Sequence, residues 1–163
     1  MGFPVVLLNV ALAVSLALWV ASGWRQNARA VLPAYLAGIG IQCFHFAEEV
    51  REGFQAAFPP VFGAGAWGER QFVVFNLVWL GVFLLAAVGV YRRLALAYLA
   101  VFFFALGGGV GNGMGHLLLS LRAGGYFPGT WTAPLSLVAG IVILRQLYAA
   151  PKVQPAGDIE GRQ

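Results

Sequence analysis

Residues 71–91 read QFVVFNLVWLGVFLLAAVGVY. They carry no charge, and they are bounded by Arg70 on one side and Arg92-Arg93 on the other. About 20 apolar helical residues cross a hydrocarbon core about 30 Å thick, so this stretch has the length of a membrane span. Four further stretches share its character. Phe3 to Trp24 is uncharged and ends at Arg25 and Arg29. Ala30 to Val50 is apolar as far as Gln42 and then becomes polar on one side. Leu94 to Leu121 is uncharged and unusually long, and Thr132 to Tyr148 is shorter, with Arg145 placed to snorkel from its last turn. The short alternating strands of a β-barrel are absent from the pattern. The expected fold is all-α, an integral membrane bundle of about five transmembrane helices.

Composition agrees. Of 163 residues, 60% are hydrophobic and 10% charged, against roughly 25% charged in soluble domains. The basic residues are dispersed in loops and form no stripe, so nucleic-acid binding has no support. A lone Cys43 allows no intramolecular disulfide. Residues 1–150 are expected to form one transmembrane domain, and 151–163 a disordered, Pro- and Gly-bearing tail. The tail's Ile159-Glu160-Gly161-Arg162 resembles a protease-cleavage sequence engineered into expression vectors and is set aside.

The first stretch lacks the basic leader of a signal peptide and reads as an anchor. With five spans, Arg25, Arg29, Arg92, Arg93, Arg145, Lys152 and Arg162 fall on one side of the membrane. Arg51, Arg70 and Arg122 fall on the other. Seven against three predicts the first side as cytoplasmic, hence a multi-pass cell-membrane protein with its N-terminus outside and its C-terminus in the cytoplasm. Between Arg51 and Arg70, Phe54, Phe58, Phe62 and Trp67 are interrupted by Pro59-Pro60 and glycines. That fits an interfacial segment, either hugging the membrane or covering a site.

Polar residues inside such a chain are costly and face the bundle interior. His45, Glu48, Glu49 and Glu52 follow i, i+3, i+4, i+7 spacing and form one helical stripe. Asn112 and His116 share a face of the fourth span, amid Gly107, Gly108, Gly109, Gly111, Gly113 and Gly115. Those glycines lack dinucleotide spacing and favour close helix approach. His45 precedes Arg51 by six residues, His116 precedes Arg122 by six, and Asn76 follows Arg70 by six. At about 1.5 Å per residue all three lie about 9 Å beneath one boundary.

Two histidines and several carboxylates have the composition of a zinc or non-haem iron site. His45, Glu49 and His116 are the candidate ligands of a divalent metal, zinc favoured and non-haem iron the alternative. Glu48 is the candidate general base. Asn112, Tyr126 and Thr132 are candidates to hydrogen-bond developing charge. In the loop before the last span, Pro128-Gly129 sets a turn and Thr132 is placed to cap the helix that follows.

His45-x-x-Glu48-Glu49, Asn112-x-x-x-His116 and Tyr126-x-Pro128-Gly129-x-x-Thr132, in this order, resemble the HxxEE-motif family of bacterial and archaeal membrane proteins. The match runs from about Ala30 to Tyr148. The resemblance implies which residues matter and implies enzymatic activity, but it supplies no reaction.

The expected function is a membrane-embedded metal-dependent hydrolase acting on a lipid-like or amphipathic substrate near the outer face, with membrane lipid as its surroundings and oligomerisation open. One competing reading keeps the His/Glu pocket without metal, as a proton-transfer isomerase or cyclase of isoprenoid-like substrates. Another makes the chain a proton- or metal-coupled transporter or an interaction subunit. The inner halves of all five stretches are almost wholly apolar, which suits a one-sided pocket better than a conduit.

Overall fold

The uncharged stretches become helices because a backbone in lipid must satisfy its hydrogen bonds within its own segment. The computed structural model describes residues 3–22 and 28–149. The expected tail and the arginine that closes the first stretch, Arg25, lie outside them. Helix α1 spans Phe3–Ala21 and α2 spans Ala28–Arg51. A single turn α3, Phe54–Ala57, is followed by a 3-10 turn, Pro59–Phe62. Helix α4 is Glu69–Tyr91. The next rod runs Ala95–Ala123 as α5 (Ala95–Phe103), a π-helical stretch (Phe104–Gly111) and α6 (Asn112–Ala123). Helix α7, Ala133–Ala149, closes the bundle. Among the described residues there is no strand.

The five expected spans are thus five helical rods. Ala28–Arg51, Glu69–Tyr91 and Ala95–Ala123 are long and apolar enough to cross a membrane. The described parts of the first and last rods are shorter. Helix α2 packs between α4 and α7, and α7 lies along the π-helical stretch and α6. Helix α1 rests against α5, where the Trp19 indole donates to the Ala95 carbonyl at 3.1 Å.

The surface is inverted relative to a soluble protein. Phe44, Leu85, Leu96 and Leu121 are each at least 70% exposed, and apolar area on that scale needs lipid or a partner to cover it. Inside, Tyr35 and Phe104 meet edge to face at 5.2 Å. The fully buried Tyr35 hydroxyl donates to the Phe83 carbonyl at 3.0 Å, which meets its hydrogen-bonding need away from water.

Lipid gives helices no hydrophobic drive to associate, so close backbone contact matters more. Gly109 and Gly140 supply it. A Cβ on Gly109 would come 2.6 Å from the Gly140 Cα, and one on Gly113 would come 2.7 Å from the Ala133 carbonyl oxygen. This contact draws α6 against α7 and carries His116 into the bundle near the start of α7.

Candidate metal centre

His45 and Glu49 stand one turn apart on α2 and point the same way, so their side chains converge. His116 arrives from α6, which ends where Gly124 takes a left-handed φ of 70° and its N–H donates to Leu121. The chain then turns back through residues 124–132. The Thr130 hydroxyl donates to the Phe127 carbonyl at 2.5 Å, and Ser120 bonds the same hydroxyl. Gly129, just before Thr130, has φ 92°. A Cβ there would penetrate the His116 ring and crowd His45, so the loop backbone lies directly on both rings.

His45 Nε2 lies 3.2 Å from His116 Nε2. Glu49 Oε1 lies 3.1 Å from His116 Nε2 and 3.5 Å from His45 Nε2. All three side chains are buried, with relative exposures of 0% for His45, 4% for Glu49 and 1% for His116. The two rings meet edge to face at 4.6 Å, and Phe54 covers His116 at 5.0 Å. The aromatic segment after α2 therefore walls the cluster through Phe54, which packs with Phe72 and Phe127.

The other ring nitrogens decide what these three atoms are. His116 Nδ1 is 2.7 Å from the Pro128 carbonyl oxygen, which can only accept. His116 therefore carries its proton on Nδ1. His45 Nδ1 is 2.6 Å from the Thr132 hydroxyl, whose own proton is directed to Glu48 Oε2 at 2.6 Å. The hydroxyl oxygen accepts, so His45 is also protonated on Nδ1. Where neither ring carries a second proton, two bare Nε2 lone pairs and a carboxylate oxygen face one another in a dry pocket. Three acceptors so placed repel unless a cation or a proton sits among them.

Their spacing fits a metal. Ligand atoms about 2.0–2.1 Å from a tetrahedral zinc are about 3.3–3.4 Å apart, and the observed edges are 3.2, 3.1 and 3.5 Å. This His45, Glu49 and His116 group could hold a metal ion. It would leave one position of a tetrahedron for another ligand.

The remaining expected site residues fall into two groups. Glu48, Tyr126 and Thr132 meet beside the cluster, but Glu48 turns away from the triangle and towards the loop. Its Oε1 accepts from the Tyr126 hydroxyl at 2.8 Å and the Trp131 N–H at 3.0 Å. Its Oε2 accepts from the Thr132 N–H at 2.9 Å and the Thr132 hydroxyl at 2.6 Å. Desolvation first, and then the Glu48 carboxylate, push the Tyr126 phenol up to about 12, so it remains a donor at neutral pH. Asn112 and Asn76 join neither set. Asn112 lies one turn deeper than His116, and among the described residues no hydrogen bond ties it to the cluster. The Asn76 amide donates within its own helix to the Phe72 carbonyl at 3.0 Å.

Three contributors were not among the candidate site residues, although two of them stand in a quoted motif. Pro128 acts through its carbonyl, a group every residue possesses. Gly129 acts by lacking a side chain, and the Pro-Gly pair signalled only a turn. Phe54 looked like an interfacial aromatic among several others.

A family model described as a protein of unknown function with an HXXEE motif matches residues 36–144, more than half of the chain. That range contains every residue of the cluster and of the loop that covers it. No curated protein and no solved structure matches.

Proposed function

Since the chain belongs to the family of proteins with the HXXEE motif, we propose that the motif builds a divalent-metal centre in a membrane-embedded enzyme that hydrolyses a lipid-like substrate. One observation carries this reading: the triangle of His45 Nε2, His116 Nε2 and Glu49 Oε1, with edges of 3.1 to 3.5 Å. Structural zinc sites take four protein ligands, whereas catalytic ones take three and keep a position open. Two histidines and one carboxylate are a donor set used by zinc hydrolases and also by non-haem iron enzymes.

A bound divalent cation supplies Lewis acidity at the open position. The chain's own residues do the rest. Glu49 offsets part of the cation's charge, while Pro128 and Thr132 hold the two rings with their Nε2 atoms inward. Phe54, Phe127 and the Gly129 backbone keep the surroundings dry, which strengthens every electrostatic interaction inside. A lipid-like substrate suits a site near the ends of α2 and α6, because a lipid's polar, cleavable bonds lie at that depth of a bilayer.

Metal analysis of detergent-purified protein tests the reading before any substrate is known. About one equivalent of zinc or iron is expected, with large losses in His45→Ala, His116→Ala and Glu49→Gln. Wild-type protein that stays metal-free after incubation with Zn²⁺, Co²⁺ and Fe²⁺ would sink it. A metal-free proton-transfer enzyme would then be the better account of the same three groups.

A further inference from the structure

We infer that Glu48 is a positioning residue for this centre and not its proton acceptor, acting through the Thr132 hydroxyl on His45. A carboxylate has about four lone-pair sites. Glu48 fills four, two on each oxygen, with the Tyr126 hydroxyl, the Trp131 and Thr132 N–H groups and the Thr132 hydroxyl. No site is left to take a proton from a reacting molecule. The four donors also come from one loop, so the carboxylate pins that loop over the rings.

The consequence runs through a single proton. Glu48 can only accept from Thr132, which commits the one hydroxyl hydrogen of Thr132 to Glu48. The oxygen is then free only to accept, and His45 Nδ1–H fills it at 2.6 Å. That fixes His45 in the tautomer with a bare Nε2 aimed into the triangle. A partner on the distal nitrogen is what orients a metal-binding histidine, and losing it typically weakens metal binding about 10–100-fold. The paired glutamates of the motif thereby divide the labour. Adjacent helical positions point about 100° apart, so Glu49 faces the triangle while Glu48 faces the loop.

The effect on metal affinity rests on the metal reading above, whereas the effect on tautomer does not. The chain has two histidines, so selective ¹⁵N labelling gives a spectrum of two rings. In metal-free wild type both rings should carry a proton on Nδ1, with any further proton shared among the two Nε2 atoms and Glu49. Thr132→Val removes the hydroxyl but keeps the backbone N–H that also bonds Glu48. It should shift His45, but not His116, towards the Nε2–H tautomer and weaken Zn²⁺ or Co²⁺ binding about 10–100-fold. Thr132→Ser should restore both. Glu48→Gln offers one acceptor oxygen where two are used, and should perturb His45 in the same direction.

If Thr132→Val and Glu48→Gln both keep the wild-type tautomer and metal affinity, the inference is overturned. Loss of turnover alone in Glu48→Gln would return Glu48 to the role of base. Should the wild type bind no metal, the proposed function fails while the two-ring spectrum still decides the relay.

Discussion

Gly129 shows how much of this site depends on a residue with no chemistry of its own. Its φ of 92° lies where a side chain is strained, and a Cβ would enter the space of both histidine rings. Gly129→Ala is therefore expected to cost about 1–3 kcal/mol in backbone strain and to displace the rings, so that metal binding weakens as well. Thermal unfolding in detergent and a metal titration would measure both. Gly125→Ala is the control, because its Cβ meets open space and its φ is not in the left-handed region. If the two variants behave alike, the loop is not seated on the rings. The histidines and Glu49 were legible because helical spacing and distance from a flanking arginine put them on one face at one depth. The Pro128 carbonyl was not, since backbone acceptors leave no trace in residue type. Glu48 was legible as a member of the stripe but not in its orientation. The stripe pattern places it beside Glu49, and only the returning loop reveals where it points.

At the scale of elements, the helix bounds followed from charge. Arg51, Arg92 and Arg122 each lie within a residue or so of a helix end. The π-helical stretch Phe104–Gly111 had no such marker. Its glycines suggested close helix approach, which the Gly109–Gly140 contact bears out, but glycine does not signal an i→i+5 pattern. Such stretches occur often at functional sites. Here the widened turns alter the phase of α6 relative to α5, so the face bearing His116 cannot be projected from α5 by a uniform 3.6-residue period. Packing of α7 against this stretch should govern stability. A Cβ at Gly140 would lie 2.6 Å from the Ala105 carbonyl oxygen and 2.7 Å from the Val110 nitrogen, both backbone atoms. Gly140→Ala is expected to cost about 1–3 kcal/mol through overpacking. Gly40→Ala and Gly81→Ala, where a Cβ meets nothing within 4 Å, should leave the melting temperature unchanged or raise it slightly. Equal melting temperatures for all three would mean that the α7 contact is looser than described.

For the molecule as a whole, the apolar exterior makes a membrane the natural solvent, and the ends of the rods then decide which compartment the centre faces. The ends of α2 and α6 lie together, since His45 and His116 meet near them; the Arg92-Arg93 turn falls at the other end of α4. That much is geometry. The direction is our proposal, and it rests on six basic residues against three once Arg162, in the tail sequence set aside above, is left out. The rule concerns Lys and Arg in short loops near span ends; in the loops between the spans, Arg25, Arg29, Arg92 and Arg93 stand on one side, and Arg51, Arg70 and Arg122 on the other. Cys43 is exposed, and its replacement by Ala makes a cysteine test practical. In that background, Ala64→Cys and Gly125→Cys should react with a membrane-impermeant maleimide applied to intact cells, because both lie in loops on the side of the centre. Arg92→Cys should react only after permeabilisation. The reverse pattern would invert the orientation and place the centre at the cytoplasmic face, with lipids of the inner leaflet as its candidate substrates. The geometry of the triangle would be untouched. Labelling of all three positions from outside would be more damaging, because it contradicts α4 as a membrane-crossing helix and with it the shared depth that led to the histidines.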